Sequence, residues 1–282
     1  MKKSIIVYHS ADFDGVCSKL IALRAFPESE TLGYNYGDTI PDLESYDKIV
    51  MIDISFPGDL MLKLKNQLIW IDHHITAIQD SMKYKYDGVP GIRKVGEGAC
   101  ELAWKYLIKT PVPQSVKYIS AYDVFNKTRF PWIEEVVPYQ YSLRGRYGLN
   151  LPDEILEQDP KTLLDEGKAI LRFLELDWKE GINKNSFPIT IDGRYKGICL
   201  ITTQKGSLQF GSVFQDYDLF VWGTFDKTGI FRFSMASNEN KVPEFNCGAY
   251  LKNHYNGGGH QGIGGGILSL EQFLGLIQQK IL

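Results

Sequence analysis

The sequence has no closely spaced pair of cysteines. Cys17, Cys100, Cys199 and Cys247 are scattered through 282 residues, which argues against a zinc ribbon and implies no disulfide framework. They read as reduced core thiols. An excess of positive charge is also missing: the net charge is −3, with no basic run. A broad electrostatic grip on duplex nucleic acid needs many phosphate contacts and is therefore not expected, although a few local cations would suffice for a small phosphorylated substrate. No apolar run approaches the ~20 residues of a membrane span. The opening MKKSIIVYHSADFDG has a short apolar run, broken at His9 and followed by acids, and it lacks the cleavage site of a signal peptide. A cytoplasmic protein without a membrane partner is expected. Internal repeats and low-complexity segments are absent too.

What is present is a globular composition, 44% hydrophobic and 23% charged, in a chain long enough for a sizeable core. In the first half, short apolar runs alternate with helical patterns. Ser4–Tyr8, Lys48–Ile52 and Leu68–Ile71 read as buried strands, and Val16–Phe26 and Asp59–Lys65 as helices, a pattern of βαβ units and a parallel sheet. Helices then dominate: Glu97–Ile108, Gln114–Tyr122, Trp132–Leu143 and Pro160–Lys179. The stretch GINKNSFP, Gly181–Pro188, is polar and punctuated. Beyond it, strands are expected at Ile189–Ile191, Gly197–Thr202, Asp218–Phe225 and Ile230–Ser234, with a hairpin turn at Asp226–Gly229. Helices are expected around Ser207–Phe214, Phe245–His254 and Leu270–Ile281. The expected class is α/β: an N-terminal parallel-sheet domain over residues 1–182, a linker over 183–188, and a smaller C-terminal α/β domain over 189–282.

The chemistry gathers at the strand ends. Residues 70–75 read WIDHHI, with Asp72, His73 and His74 closing an apolar strand. Burying such groups costs several kcal/mol unless something pairs with them. The first strand ends in His9, Asp12 and Asp14, and the second in Asp53. Taken singly, an Asp at a strand end is usually a turn residue or a helix cap. Together they differ, because open parallel sheets bind ligands at the carboxyl ends of their strands. Three adjacent strands would bring seven candidate ligands to one edge, and Asp123, after a helical stretch, is an eighth. So many carboxylates repel one another unless cations intervene. Carboxylate and imidazole ligands suit manganese or magnesium and also hold zinc, cobalt or iron. There are enough ligands for two ions.

In order and spacing, His9-x-x-Asp12-x-Asp14-Gly15, Asp53, Asp72-His73-His74 and Asp123 resemble the four motifs of the DHH phosphoesterase superfamily. Gly257-Gly258-Gly259-His260 resembles the signature of the DHH-associated C-terminal domain. The resemblance covers most of the chain. It implies two divalent ions, manganese first among them, and hydrolysis of phosphoester or phosphoanhydride bonds by metal-activated water. One ion would take His9, Asp12 and Asp53. The other would take Asp14, Asp53, His73 and Asp123, with Asp53 as the bridge. Asp72 would orient a histidine, and His74 would face the substrate or the leaving oxygen. Gly257, Gly258 and Gly259 would bring backbone N–H groups close to a phosphate, His260 would donate to it, and the substrate would lie in a cleft between the domains.

Two positions depart from that pattern. The spacing from His9 to Asp12 differs by one residue from that of many members. Nucleotide-degrading members also carry an arginine in a Ser-x-Arg-Ser stretch, where this chain has Ser234-Met235-Ala236-Ser237. Arg232 is the nearest substitute by pattern, with Arg144 and Arg146 as further candidate cations. The expected function is a phosphohydrolase acting on short oligonucleotides or small phosphorylated nucleotides. The rivals are a RecJ-like single-strand exonuclease, a pyrophosphate or polyphosphate hydrolase, and a non-catalytic metal or nucleotide sensor. A homodimer is left open.

Overall fold

A computed structural model describes residues 3–204 and 206–278. The chain divides into two compact units between Leu171 and Arg172. The first contains β1 (Ser4–His9), α1 (Phe13–Ala25), β2 (Glu30–Tyr34), β3 (Lys48–Ile52), α2 (Gly58–Leu64), β4 (Leu68–Ile71), α3 (Ile75–Tyr84), α4 (Ala99–Ala103), α5 (Gln114–Asp123), α6 (Val137–Tyr147) and the start of α7 (Leu164–Asn185). Its four strands are all parallel, in the order β2-β1-β3-β4.

The apolar strands are continuous because both faces of this sheet are covered. Ile6, Val50, Ile52 and Ile71 pack into one core with Val16, Cys17 and Ile21 of α1, Leu102 of α4 and Ile119 of α5. Ile5, Val7, Ile49, Met51 and Trp70 point the other way, into a core with Met61 and Leu64 of α2 and Ala77 of α3. Full burial of each such side chain stabilises the fold by about 1.5–3 kcal/mol. The sheet has one strand more than the apolar runs indicate. β2 reads ETLGY, lies at the edge and is largely exposed, so it carries no buried-strand pattern.

Asp12 starts α1: its carboxylate caps the helix by accepting from the Gly15 N–H at 2.9 Å. Gly15 is required there, because a Cβ would fall 1.9 Å from the His9 carbonyl oxygen. The close approach of α1 to the end of β1 is what sets Asp12 and Asp14 beside His9.

The second unit takes the rest of α7, then β5 (Ser186–Ile191), β6 (Tyr195–Ile201), β7 (Leu219–Phe225), β8 (Phe231–Ser237), α8 (Cys247–His254), β9 (Gly258–Gly259), β10 (Ile263–Leu268) and α9 (Leu270–Gln278). The sheet order is β5-β6-β7-β8-β10-β9, antiparallel except for β6 beside β7. The Asp226–Gly229 turn closes β7 onto β8, with Asp226 accepting from the Thr228 and Ile230 N–H groups. Residues 279–281 of the expected last helix lie outside the described residues.

The expected linker at 183–188 is not one. α7 continues to Asn185 and β5 begins at Ser186. Trp178 and Ile182 are buried and hold the helix tail down. Pro188 is tolerated because β5 is an edge strand. The division between the units falls inside α7, upstream of the polar stretch. Among the described residues no helix is long and apolar enough to cross a membrane.

Candidate metal centre

The carboxyl ends of β1, β3 and β4, the first turn of α1 and the last residue of α5 gather the acids and histidines of the sequence motifs. Three groups each have ligand atoms within 4.8 Å of one another: His9, Asp12 and Asp53; Asp14, His73 and Asp123; and Asp53, His73 and His74. Despite its spacing, His9 joins the cluster. Its Nδ1 lies 3.2 Å from an Asp12 oxygen and 3.8 Å from Asp53 Oδ2.

Asp53 belongs to two of the groups. It follows β3 directly and is buried at φ +63°, a left-handed conformation that Asp tolerates better than most residues. Its N–H donates to the Ile71 carbonyl at 3.0 Å, and this tie aims the carboxylate into the cluster. Burial, followed by the charges of Asp14, Asp12, Asp123 and Asp72, pushes its carboxyl well above the ordinary range. Burial and the charges of Asp14 and Asp12 do the same to Asp123.

The histidines divide the work. His73 is buried, and its Nε2 points at three carboxylates: Asp53 at 3.1 Å, Asp123 at 3.3 Å and Asp14 at 3.7 Å. Burial, then the neighbouring His74, lowers its proton affinity, which favours the neutral imidazole a metal requires. His74 turns Nδ1 to Asp72 Oδ1 at 2.8 Å. Burial works against its protonation, but Asp72 outweighs burial and raises its pKa.

Asp72 has no exposure and is saturated by the protein. Oδ1 accepts from the N–H groups of His73 at 2.7 Å and His74 at 2.9 Å, and Oδ2 accepts from the Trp70 indole at 3.2 Å. Burial alone would raise its pKa, yet the charge and hydrogen bonds of His74 bring it below the ordinary range. Asp72 thus ties the His74 ring to the turn that follows β4. Both Asp14 oxygens accept backbone N–H groups at the start of α4, from Ala99 at 2.6 Å and Cys100 at 2.9 Å, which fixes its carboxylate at the edge of the cluster.

The donor set fits divalent cations. Asp53 Oδ2 and Asp123 Oδ2 are buried and receive no hydrogen bond. Native proteins rarely leave buried carboxylate oxygens in that state, and like-charged groups this close need positive charge between them. Tyr36 and Ser55 also reach this region, with the Tyr36 hydroxyl 3.4 Å from Ser55 Oγ and its ring edge-on to His9. Tyr36 is 60% exposed overall, but desolvation at its hydroxyl end and the charge of Asp72 raise the phenol to about 12. Neither residue stood in a pattern; the one available signal was that Ser55 lies two residues after Asp53.

The second unit gives a different result for the remaining candidates. A Cβ on Gly257 would meet the Gly265 carbonyl at 2.0 Å, and Gly259 has φ +141° and lies against Gly264. The Gly257 N–H donates to Leu251 and the His260 N–H to Ile263. Much of the glycine signature therefore serves the close packing of α8, β9 and β10. Gly258 has open space where a Cβ would stand, but its backbone pairs with Gly265 in the β9–β10 ladder. Arg232 is not a spare cation: its Nε is 2.8 Å from Asp226, so it clamps the β7–β8 hairpin. Arg146 pairs with Glu166. Arg144 lies over the rings of Tyr122 and Tyr141 at 5.7 and 5.2 Å.

No family model and no curated protein matches the sequence. Solved structures do. PggH of Vibrio cholrae, a pGpG-specific phosphodiesterase, aligns over 99% of this chain and 98% of its own, with TM-score 0.55 and 14% identity. RecJ of Thermus thermophilus, in complex with Mn2+, aligns over 99% of this chain with TM-score 0.55 and 14% identity, but only 51% of RecJ is covered. A DHH domain, described as that of a member of a family of ribosomal proteins, aligns over 98% of this chain and 85% of its own, with TM-score 0.59 and 10% identity. The chain shares the fold of these structures.

Proposed function

We propose that this protein is a metal-dependent phosphohydrolase that cleaves phosphoester bonds in short oligonucleotides or small phosphorylated nucleotides. The observation that carries the reading is the set of interlocking ligand groups around Asp53 and His73, with two buried carboxylate oxygens left without a hydrogen bond. We assign His9, Asp12 and Asp53 to one divalent ion and Asp14, Asp53, His73 and Asp123 to a second, with manganese as the first candidate. Bound there, such ions supply Lewis acidity and lower the pKa of water.

The protein's own groups divide the remaining tasks. Neutral His73 would offer its Nε2 lone pair to an ion held among the carboxylates of Asp14, Asp53 and Asp123. Asp72 fixes the His74 ring through Nδ1 and favours the imidazolium. Through its other nitrogen, His74 donates to a phosphoryl or leaving oxygen, where negative charge grows as the bond breaks. The pGpG-specific and RecJ neighbours support a phosphodiester substrate. The net charge of −3 favours a short one over a long polymer.

The test uses metal-stripped protein with manganese restored, a panel of short oligoribonucleotides, a linear dinucleotide and pyrophosphate, and the Asp72→Asn variant alongside. Manganese-dependent release of mononucleotide is expected. In the variant, kcat falls at least about 100-fold: the Asn oxygen can take over the contacts of Oδ1, but its NH2 then faces the Trp70 indole donor and the charge that favours a protonated His74 is gone, while manganese binding persists. Binding of two ions with no turnover on any member of the panel would favour a sensor. Turnover equal in Asp72→Asn and wild type would remove the assigned role of Asp72.

A further inference from the structure

Directly beyond Asp123 the chain builds a wall of partly exposed aromatic rings. Tyr122, the residue before Asp123, stacks on Trp132 with the ring planes 10° apart and the centroids separated by 5.5 Å. Phe125 lies 6.2 Å from each, tilted by 30° and 35°. Arg144 sits above the Tyr122 ring. An aromatic group of this size usually belongs to a core, yet Phe125 is 38% exposed.

The backbone gives a second, independent reason to single out Phe125. Helix α5 ends in a Schellman turn: the Asn126 N–H donates to Ala121 and the Phe125 N–H to Tyr122. The position between, with φ > 0, is the one glycine normally fills. Here it holds Phe125 at φ +51°, strained for a bulky side chain. Strain of this kind persists where the surroundings over-determine it, and it collects at ligand-binding positions. Glycine would close the same turn without strain but would offer no ring.

We propose that Tyr122, Phe125, Trp132 and Arg144 form a nucleobase subsite that holds one base of the substrate while its phosphate lies at the neighbouring cluster. This rests on the phosphohydrolase reading for the position of the phosphate. Phe125 presents the face on which the base stacks. Tyr122 and Trp132 back that face and keep its angle. The guanidinium of Arg144 supplies donors to the acceptor atoms on the base edge. Every base has a π-face, so such a platform recognises a nucleotide without selecting a sequence.

The experiment compares a 5′-phosphorylated dinucleotide with its abasic analogue on the manganese-loaded protein. Wild type should show the lower KM for the dinucleotide. In Phe125→Gly that preference should shrink about tenfold, within the range for losing one base–aromatic stack, with the change in KM rather than kcat. Phe125→Trp should restore it. The melting temperature of Phe125→Gly should not fall, because the strained turn is relieved; a purely structural ring would instead lower it. A wild type with equal KM for both ligands, or a variant that shifts both by the same factor, overturns the subsite and leaves the hydrolase reading standing. If neither ligand is hydrolysed, the hydrolase reading fails instead. Calorimetric titration of the same pair then decides the subsite: about tenfold weaker dinucleotide binding in Phe125→Gly sustains it, and equal binding refutes it.

Discussion

Replacing Asp53 with Asn tests the architecture of the metal centre most directly. One oxygen of Asp53 lies 3.1 Å from His73 Nε2 and the other 3.8 Å from His9 Nδ1, so a single carboxylate serves both proposed ions. Asn has almost the same shape and also tolerates φ > 0, but its NH2 group cannot ligate. With manganese at 100 times its Kd, each ion stabilises the folded state by about 2.7 kcal/mol. Two ions give about 5 kcal/mol, a rise in Tm on the order of 10–20 °C for a unit of this size. Asp53→Asn should lose nearly all of that rise, whereas Asp123→Asn, which touches one group, should lose about half. Without metal the order changes. Asp53 is crowded by Asp14, Asp12, Asp123 and Asp72, so the metal-free variant should melt no lower than metal-free wild type at neutral pH. Thermal melts of chelator-stripped protein with manganese added back, together with calorimetric stoichiometry, read both effects. A variant that keeps half or more of the rise refutes the bridging role. A metal-free variant that melts well below wild type would show that the carboxylate is a structural acceptor and no crowded ligand.

Two further outcomes are expected away from that residue. Glu101 is buried and held by Arg129 at 2.6 and 2.9 Å, Lys105 at 2.8 Å and Ser120 at 2.9 Å. Burial alone would raise its pKa, but these partners bring the carboxyl down from 4.5 to about 2. Its folded pKa is depressed, so the stability it contributes is complete above pH 4.5 and is lost as pH falls toward 2. The full linkage corresponds to about 3 kcal/mol, reduced to about 1–2 kcal/mol because Arg129 and Lys105 stand at the solvent edge. Urea melts from about pH 5 down to about 2.5 should show that loss in wild type and not in Glu101→Gln; parallel pH profiles would refute it. Gly15→Ala should gain about 1 kcal/mol of helix propensity and still destabilise by more than about 3 kcal/mol, because its Cβ would overlap the His9 carbonyl. Chemical denaturation and manganese binding check this, and an unchanged midpoint with intact metal affinity would refute it.

How much of this was legible in the sequence depends on how local each signal is. β3 and β4 lie where their apolar runs do, because a strand buried on both faces must be apolar throughout. The residues that close those strands, Asp53 and Asp72-His73-His74, were readable for the same reason: an acid or histidine beside a buried run has no packing role. β2 was not readable, since an exposed edge strand with Gly33 needs no apolar run. The linker was misplaced because a polar helix tail resembles a loop until the burial of Trp178 and Ile182 is known. Arg232 looked like a substrate cation until Asp226, across the hairpin, was seen to hold it. The glycines of 257–259 looked like a phosphate loop, and in the fold much of their smallness admits neighbouring backbone.

The sequence alone determined which residues could ligate metal and that they would sit at strand ends, because strand periodicity and ligand chemistry are both local properties. Only the tertiary structure decided how they divide. The parallel order β2-β1-β3-β4 sets β1, β3 and β4 side by side, and the approach of α1 to β1 at Gly15 brings Asp12 and Asp14 to His9. The end of α5 then delivers Asp123 and, just beyond it, the strained Phe125. Those contacts join segments up to about 110 residues apart along the chain, and no local pattern encodes a distance that only the packed sheet and its helices create.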